Sequence, residues 1–177
     1  DITERQQAEE ALRQSERRLQ ALWGLANLPE TSFHHLNDHI LSEIVAMTDS
    51  QYGFYGYINE DETVMTIHDW SSAAMAGCEI RDKPLIYPVD QAGLWGAAVR
   101  QRRPILVNDY AASHPDKKGL PGGHVPLTRL LVVPVFSHGR IISVAAVANK
   151  ATDYTGADIE QLRSFVASAR AVLERRQ

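Results

Sequence analysis

RLLVVPVFSHGRIISVAAVANK, residues 129–150, decides the fold. Arg129 to Phe136 and Arg140 to Ala148 are runs of aliphatic and β-branched residues, and Ser137-His138-Gly139 between them has turn chemistry, so the stretch reads as a hairpin. Its apolar residues are nearly continuous rather than alternating, the pattern of strands buried on both faces. The longest apolar runs of the chain are Leu130–Phe136 and Ile141–Ala148, the latter broken by Ser143. Both fall far short of the roughly 18 residues a membrane crossing needs. The expectation is a sheet covered by helices on its faces.

Outward from this hairpin the pattern stays mixed. Asn108 to Pro126 is a long polar loop with four Gly or Pro residues between Gly119 and Gly123, and loops of that length inside a domain are functional or mobile. Residues 110–126 are expected to form a pocket lid, with Gly122 and Gly123 as hinges for His124. Before the loop, Ile105-Leu106-Val107 is a short strand, Pro104 a stop, and Gln91 to Gln101 a short helix with Arg100, Arg102 and Arg103 at its C-terminal end. Residues 71–90 read as irregular, with Pro84 and Pro88. Tyr52 to Ile58 and Thr63 to Trp70 form a second hairpin around Asn59-Glu60-Asp61-Glu62. A helix from about Leu36 to Thr48 precedes it.

Both ends of the chain are helical. From Ile2 to about Leu28, Ala8, Leu12, Ser15, Leu19, Leu22 and Ala26 recur at steps of four and three, a narrow seam suited to helix-on-helix contact. The alternative is a solvated helix with one face resting on its own domain. From Gly156, Ile159, Leu162, Val166, Ala169 and Leu173 step in the same way. Two such seams would bury little inside one protomer, so a homodimer with a four-helix arrangement of terminal helices is expected.

At about 150 residues per domain, 177 residues make one domain with something attached, or one large domain. With 44% hydrophobic and 23% charged residues the chain is not disordered, and a net charge of −4 argues against nucleic acid as a partner. The single cysteine, Cys78, excludes an internal disulfide framework and any CxxC pair. The opening residues do not read as a signal peptide, so none is expected. The chain opens on Asp1 and charged helical residues, which reads as a piece of a longer cytoplasmic protein without membrane contact of its own.

The element order resembles that of a GAF domain. GLWGAAVRQRRPILVND at 93–109 is similar to that family's helix–strand segment, and residues 129–150 to its last hairpin. NKATDYTGADI, from Asn149 to Ile159, resembles the Asn-Lys…Phe-x3-Asp-Glu pattern of cyclic-nucleotide GAF domains, with Tyr154 in place of Phe and Ile159 where Glu is usual. The resemblance implies an α/β (α+β) fold with a central antiparallel sheet of five or six strands, flanked by helices and with long N- and C-terminal helices. It also implies a structural Lys150–Asp158 pair within the motif Asn149, Lys150, Tyr154 and Asp158. DITERQQAEEALRQSERR at the start resembles the end of a PAS domain running into a signalling helix. This divides the chain into a linker helix at 1–28 and a GAF domain at 29–177. It implies a sensor of a bacterial-type signalling protein, with a PAS domain upstream and a histidine kinase or diguanylate cyclase as output in a two-component or related system.

Chemistry is read as binding rather than catalysis. Nucleophilic catalysis needs a nucleophile and a base held together, and the GAF-fold free methionine sulfoxide reductases use several cysteines where this chain has one. His35 and His39 are spaced i, i+4 beside His34, but without a nearby carboxylate other than Asp38 they read as a solvated face. Candidate ligand-binding residues are Trp70, Cys78, Leu94, Trp95, Asn108, Tyr110, His124 and Arg129: an apolar floor with a few polar groups, Arg129 suited to a carboxylate. Lys117 and Lys118 could attract an anion. Two alternatives stand beside a small-molecule sensor. One is a haem or redox sensor held by Cys78 and His124, since thiolate and imidazole are both competent iron ligands. The other is a ligand-free dimerisation module. No metal other than haem iron is expected.

Overall fold

A computed structural model describes residues 2–27, 33–70, 85–112, 115, 117 and 126–175. In chain order the elements are α1 (Ile2–Ala26), α2 (Phe33–Met47), β1 (Tyr52–Ile58), β2 (Val64–Trp70), β3 (Leu85–Pro88), a 3-10 turn (Val89–Gln91), α3 (Gly93–Gln101), β4 (Ile105–Val107), β5 (Leu130–Ser137), β6 (Arg140–Ala148) and α4 (Gly156–Arg175). The strands form one six-stranded antiparallel sheet in the order β3-β2-β1-β6-β5-β4. The fold is α+β, with helices on both faces.

The central hairpin behaves as its composition requires. Along β5, Leu130 and Val132 point to one face and Leu131, Val133 and Val135 to the other. Along β6, Ile141, Val144, Ala146 and Ala148 take the first face and Ile142, Ala145 and Val147 the second. With period 2 and apolar residues at both parities, each face becomes a core. The first face carries α3. The second carries α1, α2 and α4, through Ala21, Leu25, Ile40, Leu41, Ile44, Leu162, Phe165, Val166 and Ala169.

β3 is an addition to the sequence reading, which has irregular chain there. It is four residues long, pairs Val64–Ile67 and sits at the sheet edge, where Pro88 interrupts no further ladder. Two close approaches fix the layers. A Cβ on Gly53 of β1 would lie 2.6 Å from Val45 Cγ2 of α2, and one on Gly96 of α3 would collide with the Val89 carbonyl oxygen. Arg102 ends α3 in the left-handed conformation, with φ 54°, and its N–H reaches the Ala98 and Val99 carbonyls. The helix therefore stops before Pro104.

The two terminal seams have different fates. Leu162, Val166 and Ala169 of α4 are fully buried on the sheet, so that seam is spent inside the protomer, contrary to the expectation from spacing. On α1 the buried residues are Ala21 and Leu25, with Leu22 partly buried, and Arg18 donates to Ser164 Oγ at 3.3 Å. Leu12, Leu19 and Trp23 remain 61–72% exposed. At about 100° per residue they lie on nearly the opposite side of the helix from Ala21 and Leu25.

Candidate functional site

The α3 face is built from small residues below and large ones at its margin. Ala146 and Ala148 of β6 and Gly56 of β1 leave room above the sheet, which Phe54, Leu130 and Val132 fill from the strands and Leu94, Ala97, Ala98 and Val99 from α3. Leu94 is fully buried, whereas Trp95 is half-buried and meets Phe54 edge to face, with ring centroids 6.1 Å apart. Tyr110 and Leu127 close the same core from the two ends of the long loop, and the Tyr110 N–H bonds the Thr128 carbonyl at 3.0 Å. Burial pushes the Tyr110 phenol up from its ordinary value. The Lys117 ammonium lies 4.3 Å from the Tyr110 ring centroid and donates to the Tyr110 carbonyl.

Leu94, Trp95 and Tyr110 are thus brought together. Asn108 and Arg129 sit at the strand ends, committed to the protein itself. Asn108 donates to the Tyr154 carbonyl at 3.1 Å and accepts from its N–H at 2.7 Å. Arg129 donates to Asp153 Oδ1 at 3.1 Å and to the Lys150 carbonyl at 3.2 Å. The Trp70 side chain, Cys78 and His124 lie outside the described residues, and so does nearly all of the expected lid between Ala112 and Pro126.

The motif at 149–158 forms a joint between β6 and α4. Lys150 Nζ lies 2.9 and 3.0 Å from the two Asp158 carboxylate oxygens. Asp158 Oδ2 also accepts the Thr155 N–H at 2.9 Å, the return half of a capping box that starts α4. Asn149, at φ 64°, accepts from the Thr128 N–H at 2.8 Å and donates to the Pro126 carbonyl at 2.8 Å. Tyr154 is buried, and its hydroxyl lies 2.7 Å from Ser50 Oγ, which is 2.8 Å from Thr48 Oγ1. Burial pushes the Tyr154 phenol up to about 12. Ile159 is partly buried against the helix-layer core.

Sequence reasoning did not find Ser50 and Thr48, which no local signal ties to residue 154. The Thr155-x-x-Asp158 box was legible in principle. His39 is not part of a solvated face: its Nε2 lies 3.2 Å from the Ala21 carbonyl, where α2 meets α1. Among the described residues no group of three or more His, Cys, Asp or Glu could hold a metal ion.

Among the described residues the six-stranded antiparallel sheet carries α3 on one face and α1, α2 and α4 on the other, and a family model described as GAF domain matches residues 30–174. The chain is a GAF domain. Of proteins similar to it, the methyl sulfide methyltransferase-associated sensor of Methanosarcina acetivorans is 42% identical over all 177 residues, which span 18% of that relative's length. The GAF domain of an Acinetobacter phosphoenolpyruvate-protein phosphotransferase superposes with a TM-score of 0.72 at 14% identity, covering 92% of this chain and 93% of that one. Free methionine-R-sulfoxide reductase of Neisseria meningitidis, solved with its substrate, gives 0.65 at 17% identity, covering 94% and 89%. At such identities the structures share the fold alone. Among the described residues of this GAF domain no helix is long and apolar enough to cross a membrane.

Proposed function

We propose that this GAF domain is a small-molecule-sensing regulatory module, with its ligand against the α3 face. The observation that carries the reading is the margin of the α3 face. Trp95 of α3 and Tyr87 of β3 stay half-buried against an apolar core of Phe54, Leu94, Leu130 and Val132, which Tyr110 and Leu127 join from the two ends of the long loop. An apolar floor bordered by partly exposed aromatic rings suits a small ligand. The name of the Methanosarcina relative supports a sensor role. In this reading the parent protein is cytoplasmic, with a PAS domain before α1 and a histidine kinase or diguanylate cyclase after α4. The domain has no turnover of its own. It dimerises through the exposed α1 stripe of Leu12, Leu19 and Trp23. Native mass spectrometry of the purified domain tests occupancy: a mass above that of the polypeptide, lost in Trp95→Ala, is expected, and a bare chain at every preparation contradicts the reading.

A second reading, haem, is favoured by where its candidate ligands fall in the chain. Cys78 stands between β2 and β3, and His124 between Tyr110 and Leu127, so both follow and precede residues of the α3 face. The described core of the α3 face includes Phe54, Leu94, Trp95, Tyr110 and Leu127, apolar and aromatic side chains of the kind a macrocycle would contact. Haem would supply an iron that responds to redox state or to a diatomic ligand. A Soret band in the purified protein, altered by Cys78→Ser or His124→Ala, is the expected result. A colourless protein that takes up no added hemin contradicts it.

A further inference from the structure

The sheet stands between the α3 face and the helix layer, and side chains of β5 and β6 fill both sides of it. The strand ends offer a route round it. On the α3 side lie Tyr110 and the run from Pro126 to Arg129; on the other lie the first turn of α4 and the last turn of α2. Two asparagines hold them together. Asn149 takes both the Thr128 N–H and the Pro126 carbonyl, with a further contact to Gln51 Oε1 at 3.4 Å. The next residue, Lys150, is paired with Asp158 inside the cap of α4. Asn108, two residues before Tyr110, holds both backbone groups of Tyr154. The Tyr154 hydroxyl continues through Ser50 and Thr48 to the Ile44 carbonyl of α2. Asn149 has a left-handed backbone, which Asn adopts more readily than most non-glycine residues.

We infer that Asn149 and Asn108 are positioning residues of a coupling joint, which ties the chain bordering the α3 face to the N-terminal turn of α4 and the C-terminal turn of α2. A displacement at Tyr110 or at Pro126–Arg129 then cannot occur without loading the start of α4. The joint rests on the sensor reading for its purpose, since it gives that sensor a route from the ligand face to α4.

The test is native-state hydrogen exchange on the whole chain with no ligand added. Asn149→Gly removes the side-chain bonds while tolerating the positive φ, so the backbone itself is not penalised. The Tyr110 and Arg129 amides and those of Ile159–Leu162 should all exchange faster, on the order of ten-fold, the loss expected for about one net hydrogen bond. Asp158→Asn keeps an acceptor for the Thr155 N–H but breaks the ion pair. By reciprocity it should accelerate exchange at Tyr110 and Arg129, on the far side of the joint. The inference is overturned if Asn149→Gly changes only 126–129, if Asp158→Asn changes only α4, or if α3, β1 and β6 accelerate equally, the mark of global destabilisation. Coupling measured this way would stand even if no ligand were found, whereas an occupied α3 face with an uncoupled α4 would sink the joint alone.

Discussion

Tyr154 shows at the scale of one residue how the chain departs from its family pattern without losing its logic. A phenol stands where the cyclic-nucleotide GAF pattern has Phe, and burying its hydroxyl is acceptable because Ser50 lies 2.7 Å away. The folded phenol is pushed up to about 12 from an ordinary value of 10. Between those two pH values the unfolded chain has released the proton and the folded chain still binds it, so raising the pH through the window favours unfolding; below it both forms are neutral and the group adds no pH dependence. Tyr154→Phe should therefore flatten part of the stability loss above pH 10. At neutral pH it should cost about 1 kcal/mol for the lost hydrogen bond. Urea unfolding of both proteins at neutral and alkaline pH measures this. Tyr55 and Tyr110 are also pushed up by burial and leave a residual slope. An identical slope in the variant would mean that Tyr154 is not held as its geometry implies.

At the scale of elements, α3 depends on Gly96. A methyl group there would collide with the Val89 carbonyl, a backbone atom that cannot rotate away, and with the Arg100 guanidinium that donates to the same carbonyl. Gly96→Ala should destabilise the domain by about 1–3 kcal/mol through overpacking, although Ala is the better helix former. A stabilised or neutral variant by urea titration would mean that the helix does not dock on the 3-10 turn as described. Elements such as β5, β6 and α3 were legible in the sequence because their patterns are long, apolar and bounded by turn chemistry. β3 was not, because its four residues follow Pro84, end on Pro88 and carry no periodicity, and its pairing is set by β2. The α1 seam was legible as a seam but not as a surface. A repeat of threes and fours says which residues share a side of a helix; it does not say which side the domain takes. Ala21 and Leu25 made that choice, and neither belongs to the seam. For the site, Leu94, Trp95 and Tyr110 could be placed together from the expected fold, whereas the commitments of Asn108 and Arg129 depend on strand ends far apart in sequence.

For the whole molecule, the helix layer divides into a spent and an unspent surface. Because α4 is buried on the sheet, the surface that α1 offers a second copy, among the described residues, is its exposed stripe of Leu12, Leu19 and Trp23. Replacing Leu12 and Leu19 by Glu should turn a dimer into a monomer in sedimentation while leaving domain stability within about 0.5 kcal/mol, since neither residue packs on its own domain. A wild-type protein already monomeric at high concentration would contradict this. The sensor role requires that a ligand act from the α3 face. The most direct measurement is difference hydrogen exchange between the protein as purified and the same protein stripped of small molecules by denaturation and refolding. Slower exchange with the ligand bound is expected in residues 93–101 and 105–112 and at the start of α4, with α1 unchanged. No difference in those segments, or a difference confined to α1 and α2, would contradict it.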